Sequence, residues 1–370
     1  LVIEKNEFCN LKKIAIIGSA GIPPRYGGFE TLVQNLVLEL NTRFSFIVYC
    51  SRRLYNKQER RKGDKYAELV YIPLRSNGFQ SIIYDLSAMI HAAGNADILL
   101  ILGISGCIFL PVLRMLSGKK IITHVDGLEW KRDKWNPFVR IYLKVSELLA
   151  VKYSHKIIAD NIAIKEYIKN EYGFEPELVE YGGEHSAVVA GSADFMNSFK
   201  DLTYPYALTV SRIEPENNIH AILNAFSRIP SKRIVVAGNW NNNRYSRRLY
   251  KKYISYPNIL LYNSIYKQDL LNLLRSGCEV YIHGNSAGGT NPSLVEAMFA
   301  GKPVIAYDVI YNRITTMEKA IYFKGEEELV KILKEVDKTG LNENGINMEK
   351  IARERYKWKD VAEKYAGLFV

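Results

Sequence analysis

The chain has 370 residues, 48% of them hydrophobic, which is long for one ordinary domain and ample for two cores. Its net charge of +11 and pI near 9.2 point to anionic partners: a nucleotide, a lipid phosphate, a membrane surface or nucleic acid. Cys9, Cys50, Cys107 and Cys278 are scattered without metal-type pairing, no signal peptide is visible, and the most apolar run, 98–113, is too short and too broken by glycine and proline to span a bilayer. The cysteine usage fits a reducing cytosol, and because the first residue is Leu1 the native start is expected to lie outside this sequence.

Residues 12–18, KKIAIIG, read as a buried parallel strand. They run through SAGIPPRYGG into a helix from Phe29 to about Leu40, opened by Gly27 and Gly28, whose N–H groups suit an anion. The glycine spacing is not G-x-G-x-x-G, so a dinucleotide fingerprint is not supported. Further strands are expected at 46–50, 69–73, 97–103, 120–124 and 156–160, with helices between them. That alternation predicts a doubly wound α/β domain, with ligands beyond the carboxyl ends of its strands. Residues 51–65, SRRLYNKQERRKGDK, carry seven basic residues against Glu59 and Asp64, and read as an anionic-surface contact or as a flexible solvated loop. The fifth strand delivers HVDGLEWKRDKW, where His124, Asp126 and Glu129 crowd against basic and aromatic neighbours. Such a loop suits sugar hydroxyls and an acid or base; the plain alternative is a turn built on Asp126 and Gly127. A basic amphipathic helix at 137–153, a helix at 161–172 stopped by Gly173, and EYGGEH at 180–185 as linker or hinge complete this half.

A new strand series opens at 206–211 and continues at 233–238, 258–262, 279–283 and 303–308. Arg212 follows its first strand in RIEPENN, where an arginine facing a helix N-terminus would clamp phosphate. Residues 244–256, RYSRRLYKKYISY, interleave basic and aromatic side chains, which suits nucleic acid or a solvated helix with Leu249 and Tyr253 turned inward. A helix is expected at 268–276. The stretch 283–303, HGNSAGGTNPSLVEAMFAGKP, has the densest signals: Asn291 as N-cap, Pro292 in the first helical position, Gly301 as left-handed stop. Gly288, Gly289 and Thr290 bring an open backbone to that helix start, and Glu296 lies one turn in. Phosphates at the helix mouth with a ribose on Glu296 would describe a nucleotide; a capped core helix with a solvated glutamate is the alternative. A mixed-charge surface helix at 324–338 and an amphipathic helix at 358–370 close the chain. There is no D-x-D and no His/Cys ligand spacing, so no metal is expected, and a diphosphate would be met by Arg212, helix dipoles and backbone N–H groups.

These motifs resemble family 4 glycosyltransferases, which have the two-domain GT-B fold. RIEPENN is similar to the family's G-R-x-x-P-E-K loop, with Arg212 in the place that grips the diphosphate and Asn217 in the place of the lysine. The family often carries two glutamates eight positions apart; the second matches Glu296, and the first is Gly288 here. PPRYGGFET, DGLEW with its Lys131 and Arg132, EYGGEH with Glu184 in the acidic place, and SAGGTNPSLVEAM resemble a branch that includes rhamnosyltransferases of bacterial polysaccharide assembly. The resemblance implies an α/β chain of two doubly wound Rossmann-like domains facing across a cleft. Residues 1–186 would be the acceptor side, 187–355 the nucleotide-sugar side, and 356–370 a terminal helix crossing back. It implies a retaining transfer of L-rhamnose from dTDP-L-rhamnose to a lipid-diphosphate-linked saccharide, in O-antigen or capsule synthesis at the inner face of the cell membrane. The reacting set would be Asp126, His124, Glu129 and Arg212. The donor set would be Gly27, Gly28, Arg212, Gly288, Gly289, Thr290, Asn291 and Glu296, with no cofactor beyond the nucleotide sugar. A nucleotide-sugar epimerase of the same fold and a basic nucleic-acid-binding protein are the alternatives.

Overall fold

In the computed structural model, which describes residues 11–25, 27–132, 134–186, 199, 202 and 205–370, the chain forms two units. Cys9, Tyr26 and Asp133 lie outside the described residues. The first unit takes the described residues of 1–130, 137–180 and 358–370; the second takes those of 131–136 and 181–357.

The first unit holds seven parallel strands: β1 Lys13–Ile17, β2 Ser45–Ser51, β3 Ala67–Ile72, β4 Ile98–Leu102, β5 Lys120–Val125, β6 Lys156–Ala159 and β7 Glu177–Leu178. Their order is β3-β2-β1-β4-β5-β6-β7, with the direction of winding reversed between β1 and β4. β4 is a continuous apolar run and β1 is one after Lys13, because helices cover both faces of the sheet, and Ile14, Ile16, Leu99, Leu100 and Ile122 are fully buried. Each such side chain contributes about 1.5–3 kcal/mol on burial. The helix Trp358–Phe369 belongs to this unit: Arg43 Nη1 lies 2.7 Å from Glu363 Oε1, and the Phe44 and Phe369 rings meet edge to face at 5.3 Å.

The second unit repeats the plan with six parallel strands: β8 Ala207–Val210, β9 Ile234–Ala237, β10 Ile259–Tyr262, β11 Val280–His283, β12 Val304–Tyr307 and β13 Ile321–Phe323. Their order, β10-β9-β8-β11-β12-β13, reverses between β8 and β11. Two doubly wound parallel sheets in one chain are the GT-B architecture expected from the sequence.

Several local expectations change. Residues 51–65 are not a loop: they include the helix Lys57–Lys62, whose start is closed by a capping box of Asn56 and Glu59. Arg60 turns inward there, donating to the Tyr55 carbonyl at 2.5 Å, and Arg25 pairs with Glu59. The helix Glu326–Glu335 buries Leu329, Val330 and Leu333 instead of lying on the surface as a whole. The strands β7 and β13 and the helix Lys338–Arg355 were not expected. The helix Arg244–Tyr253 does bury Leu249 and Tyr253, which is the solvated-helix reading of that basic and aromatic stretch.

Candidate active site

The winding reverses between β8 and β11, so a crevice opens where their carboxyl ends diverge. The two loops leaving these strands are joined by hydrogen bonds. The Asn218 amide donates to the Gly284 carbonyl at 2.9 Å, and the Ser286 N–H and hydroxyl both donate to the Glu216 carbonyl at 2.9 Å. Ser211 Oγ lies 3.4 Å from Asn285 Oδ1. Gly284 must be glycine for this approach, since a Cβ there would stand 2.3 Å from the Asn217 carbonyl oxygen. Asn217, in the place expected for a lysine, is buried and donates to the Arg212 carbonyl at 2.7 Å. It fixes the backbone that carries Arg212 and supplies no charge.

Arg212 is exposed at this mouth. Burial would raise the pKa of neighbouring Glu214, but the charges of Arg212 and Lys134 outweigh it and hold the carboxyl below its usual range. Lys134 Nζ lies 3.6 Å from Glu214 Oε2. Burial, together with the Glu214 charge, pushes Glu216 up instead. The loop after β11 then enters the helix Pro292–Phe299 as expected. The Asn291 side chain accepts from the Ser293 N–H at 3.1 Å and the Ser293 hydroxyl at 2.8 Å, Pro292 occupies the first turn, and Gly301 takes a φ of +65°. Gly288, in the place of the first acid, has a φ of +117°, a backbone conformation that glutamate rarely adopts. Gly289 and Thr290 are buried beside it.

Glu296 is not on a solvated face. It is buried, with Arg275 on one carboxylate oxygen and His185 Nε2 3.0 Å from the other. Burial alone would raise its pKa; Arg275 and His185 reverse that and keep it ionised. Arg275, 1% exposed, comes from the helix Gln268–Gly277 and also reaches Asn272 Oδ1 at 3.4 Å, while the Asn272 amide donates to the His185 carbonyl at 2.9 Å. The EYGGEH segment is thereby seated on the Glu296 helix. A Cβ at Gly183 would collide with Phe299 and Val295, and the Ser186 hydroxyl donates to the Glu296 carbonyl at 3.1 Å. The sequence reading missed Arg275, a lone arginine in an amphipathic helix with no motif around it.

In the first unit the corresponding switch point lies between β1 and β4. Gly18, with a φ of +93°, leaves no room for a side chain, since a Cβ would stand 2.1 Å from the Leu102 carbonyl oxygen. Gly27 caps the helix Gly28–Leu40 in extended conformation, and buried Glu30 accepts the Ala20 N–H at 2.6 Å. The glutamate of GG-x-E thus holds the loop after β1. His124 ends inside β5, not in the loop after it. It is 5% exposed, with Nδ1 2.7 Å from the Tyr365 hydroxyl and its ring edge-on to Phe29. Burial pushes its pKa down to about 3, so the ring is neutral near pH 7 and poorly suited to carry a proton. Asp126 follows β5, half-buried, before the turn at Gly127 (φ +68°), and Glu129 begins a single 3₁₀ turn, Glu129–Lys131. Arg212, Gly288, Gly289, Thr290, Asn291 and Glu296 are therefore gathered at one switch point of the second unit. Gly27, Gly28, His124, Asp126 and Glu129 stand at strand ends and a helix start of the first. Among the described residues, no three His, Cys, Asp or Glu side chains converge as a metal site.

Residues 192–341 match the family model described as Glycosyl transferases group 1, and residues 11–184 match a Domain of unknown function (DUF1972). The fold is similar to sucrose-phosphate synthase (tll1590) from Thermosynechococcus elongatus, with TM-score 0.79 and 16% identity over 97% of this chain and 98% of that one. It is also similar to Alr3699/HepE of Anabaena in complex with UDP-glucose, with TM-score 0.75 and 14% identity over 97% and 99% of the two chains. A trehalose-6-phosphate protein from E. coli bound with UDP-2-fluoro glucose gives TM-score 0.68 and 12% identity over 96% and 98%. The family match and the fold together indicate a GT-B glycosyltransferase. No curated protein matches the chain. Every second-unit residue of the expected glycosyltransferase donor site lies inside the group 1 match, and the first-unit residues lie inside the match of unknown function.

Proposed function

We propose that the chain transfers a sugar from a nucleotide sugar, dTDP-L-rhamnose being the expected donor, to a lipid-linked saccharide with retention of configuration. The observation that carries the donor part is the joined mouth of β8 and β11, with Arg212 on one loop and the capped start of Pro292–Phe299 on the other. Cationic and dipolar groups there suit a diphosphate, and they stabilise the charge that develops as it leaves. Arg275 and His185 keep Glu296 ionised; each of its oxygens has a second lone pair, and these accept the ribose hydroxyls. The HepE and E. coli structures are complexes with UDP-sugars, which supports a pyrimidine diphosphate donor. Asp126 acts on the reacting sugar and the acceptor hydroxyl, and His124 positions the end of β5. A lipid-linked acceptor entails peripheral contact with an anionic leaflet; among the described residues no helix is long and apolar enough to cross one.

The test is a screen of nucleotide sugars for hydrolysis and for transfer to lipid-linked acceptors. Consumption of one donor with release of nucleoside diphosphate supports the reading, and no consumption of any donor overturns it. An epimerised product formed from donor alone identifies an epimerase. Competition by oligonucleotides instead of nucleoside diphosphates in thermal-shift assays identifies a nucleic-acid binder.

A further inference from the structure

The helix Pro137–Tyr153 is apolar on two sides. Leu143, Ala150 and Val151 face the core of the first unit and are buried. On the opposite side Phe138, Ile141, Val145 and Leu148, spaced by three and four residues, form one stripe, and Phe138 is 84% exposed. The preceding helix Leu110–Ser117 packs beside it and exposes Val112, Met115 and Leu116, the last two above 80%. These helices connect β4 to β5 and β5 to β6, strands that advance in one direction across the sheet. Right-handed crossovers therefore put both on the same face of the sheet, with their outer sides turned away from it. Seven large apolar side chains on one outer layer exceed what scattered surface hydrophobics explain.

The charge of this layer selects its occupant. Leu110–Ser117 has no acidic residue and carries exposed Arg114. Pro137–Tyr153 continues its stripe to exposed Lys152, and its one acid, Glu147, is withdrawn into the interior, where the Tyr167 and Tyr172 hydroxyls donate to it at 2.7 and 2.6 Å. An apolar face edged by cations, with no exposed carboxylate on either helix, complements an anionic bilayer surface, where apolar side chains enter the acyl boundary and basic ones meet headgroup phosphates. A second copy of the same face would bring Arg114 and Lys152 with no exposed acid on either helix to offset them.

We propose that the outer face of the helices Leu110–Ser117 and Pro137–Tyr153 docks on an anionic membrane surface by shallow apolar insertion. The proposal deepens the membrane contact invoked for a lipid-linked acceptor and rests on that reading for its biological sense, though its test does not. The chain is sedimented with vesicles of equal parts phosphatidylglycerol and phosphatidylcholine, and with vesicles of phosphatidylcholine alone. Binding to the anionic vesicles is expected, weakened by high salt without being abolished. The pairs Phe138→Ser with Ile141→Ser and Met115→Ser with Leu116→Ser should each lower partition by about tenfold or more. These residues are exposed, so the variants retain their fold, checked by unchanged melting temperature.

No binding to anionic vesicles overturns the proposal. So does binding that high salt abolishes and that Arg61→Ser with Lys62→Ser weakens as much as the apolar pairs do, since charge alone then carries it. A dimer in light scattering that the same apolar substitutions dissolve assigns the face to a second copy and also overturns it. Vesicle binding by a chain that consumes no nucleotide sugar leaves this proposal standing while the transfer reading fails; transfer in solution without vesicle binding does the reverse.

Discussion

Arg275→Met tests whether Glu296 is held as a buried ion. Arg275 is 1% exposed and the Glu296 side chain 10%, so neither charge has water to fall back on. Methionine fills similar volume and leaves the carboxylate with His185 alone. Breaking one partner from a buried pair costs about 3–5 kcal/mol. For a unit of this size that corresponds to a fall in melting temperature of roughly 6–20 °C. The sign with pH follows from Glu296. In the parent its pKa lies below the usual value of 4.5, because Arg275 and His185 outweigh burial; without Arg275, burial raises it. The deficit of the variant should therefore be complete near neutral pH and shrink as pH falls toward and below 4.5, where the carboxyl takes a proton. Adding Glu296→Gln to the variant should recover part of the loss, since no buried charge then remains. Urea and thermal denaturation near neutral pH and at about pH 4 make the measurement. A loss below about 1 kcal/mol, typical of an exposed pair, or a loss that does not change with pH, would refute the reasoning.

Glu296→Gln alone should weaken nucleoside diphosphate binding and also lower stability, because Arg275 then loses its counter-charge; unchanged affinity in titration calorimetry removes the ribose role. Asp126→Asn should lower transfer far more than nucleotide affinity, as expected of a group at the reacting centre; a parallel fall in both would restrict the loop to shaping the donor site. Burial pushes the carboxyl of Asp85 up to about 7, so wild-type stability declines as pH rises from the ordinary aspartate range to that value. Asp85→Asn should raise the melting temperature most above about pH 7 and least near pH 4, with Ser105 still donating to the side chain. A pH-independent difference would contradict that assignment.

The sheet architecture was legible because parallel strands covered on both faces are continuous apolar runs, and β1, β4 and β11 stand out as such. Caps were equally readable: Asn291, Pro292 and Gly173 all act at the helix ends where they were expected. β7 and β13 were missed because two or three residues carry no period. The helix Lys338–Arg355 was hidden by Gly340 and Gly345, which weaken helical propensity. Its packing explains Gly345, since a Cβ there would stand 2.8 Å from the Gly301 carbonyl oxygen. Asn344, on the same helix, accepts the Val304 N–H at 2.7 Å and donates to the Lys319 carbonyl at 2.7 Å. At the candidate site, residue types were readable and burial was not. Nothing in the local sequence distinguishes buried Arg275 from a solvated arginine, or the interior position of His124 from a loop position.

The central claim is that the mouth between β8 and β11 binds the diphosphate of a nucleotide sugar through Arg212. Titration calorimetry of nucleoside diphosphates and nucleotide sugars, on the parent chain and on Arg212→Ala, tests it most directly. A charge-assisted hydrogen bond contributes about 1.5–3 kcal/mol. The account therefore predicts that the parent binds a pyrimidine nucleoside diphosphate and that the variant, still melting cooperatively, binds it roughly 10–150-fold more weakly. Failure of the parent to bind any nucleoside diphosphate, or equal affinity in a folded Arg212→Ala variant, would contradict it.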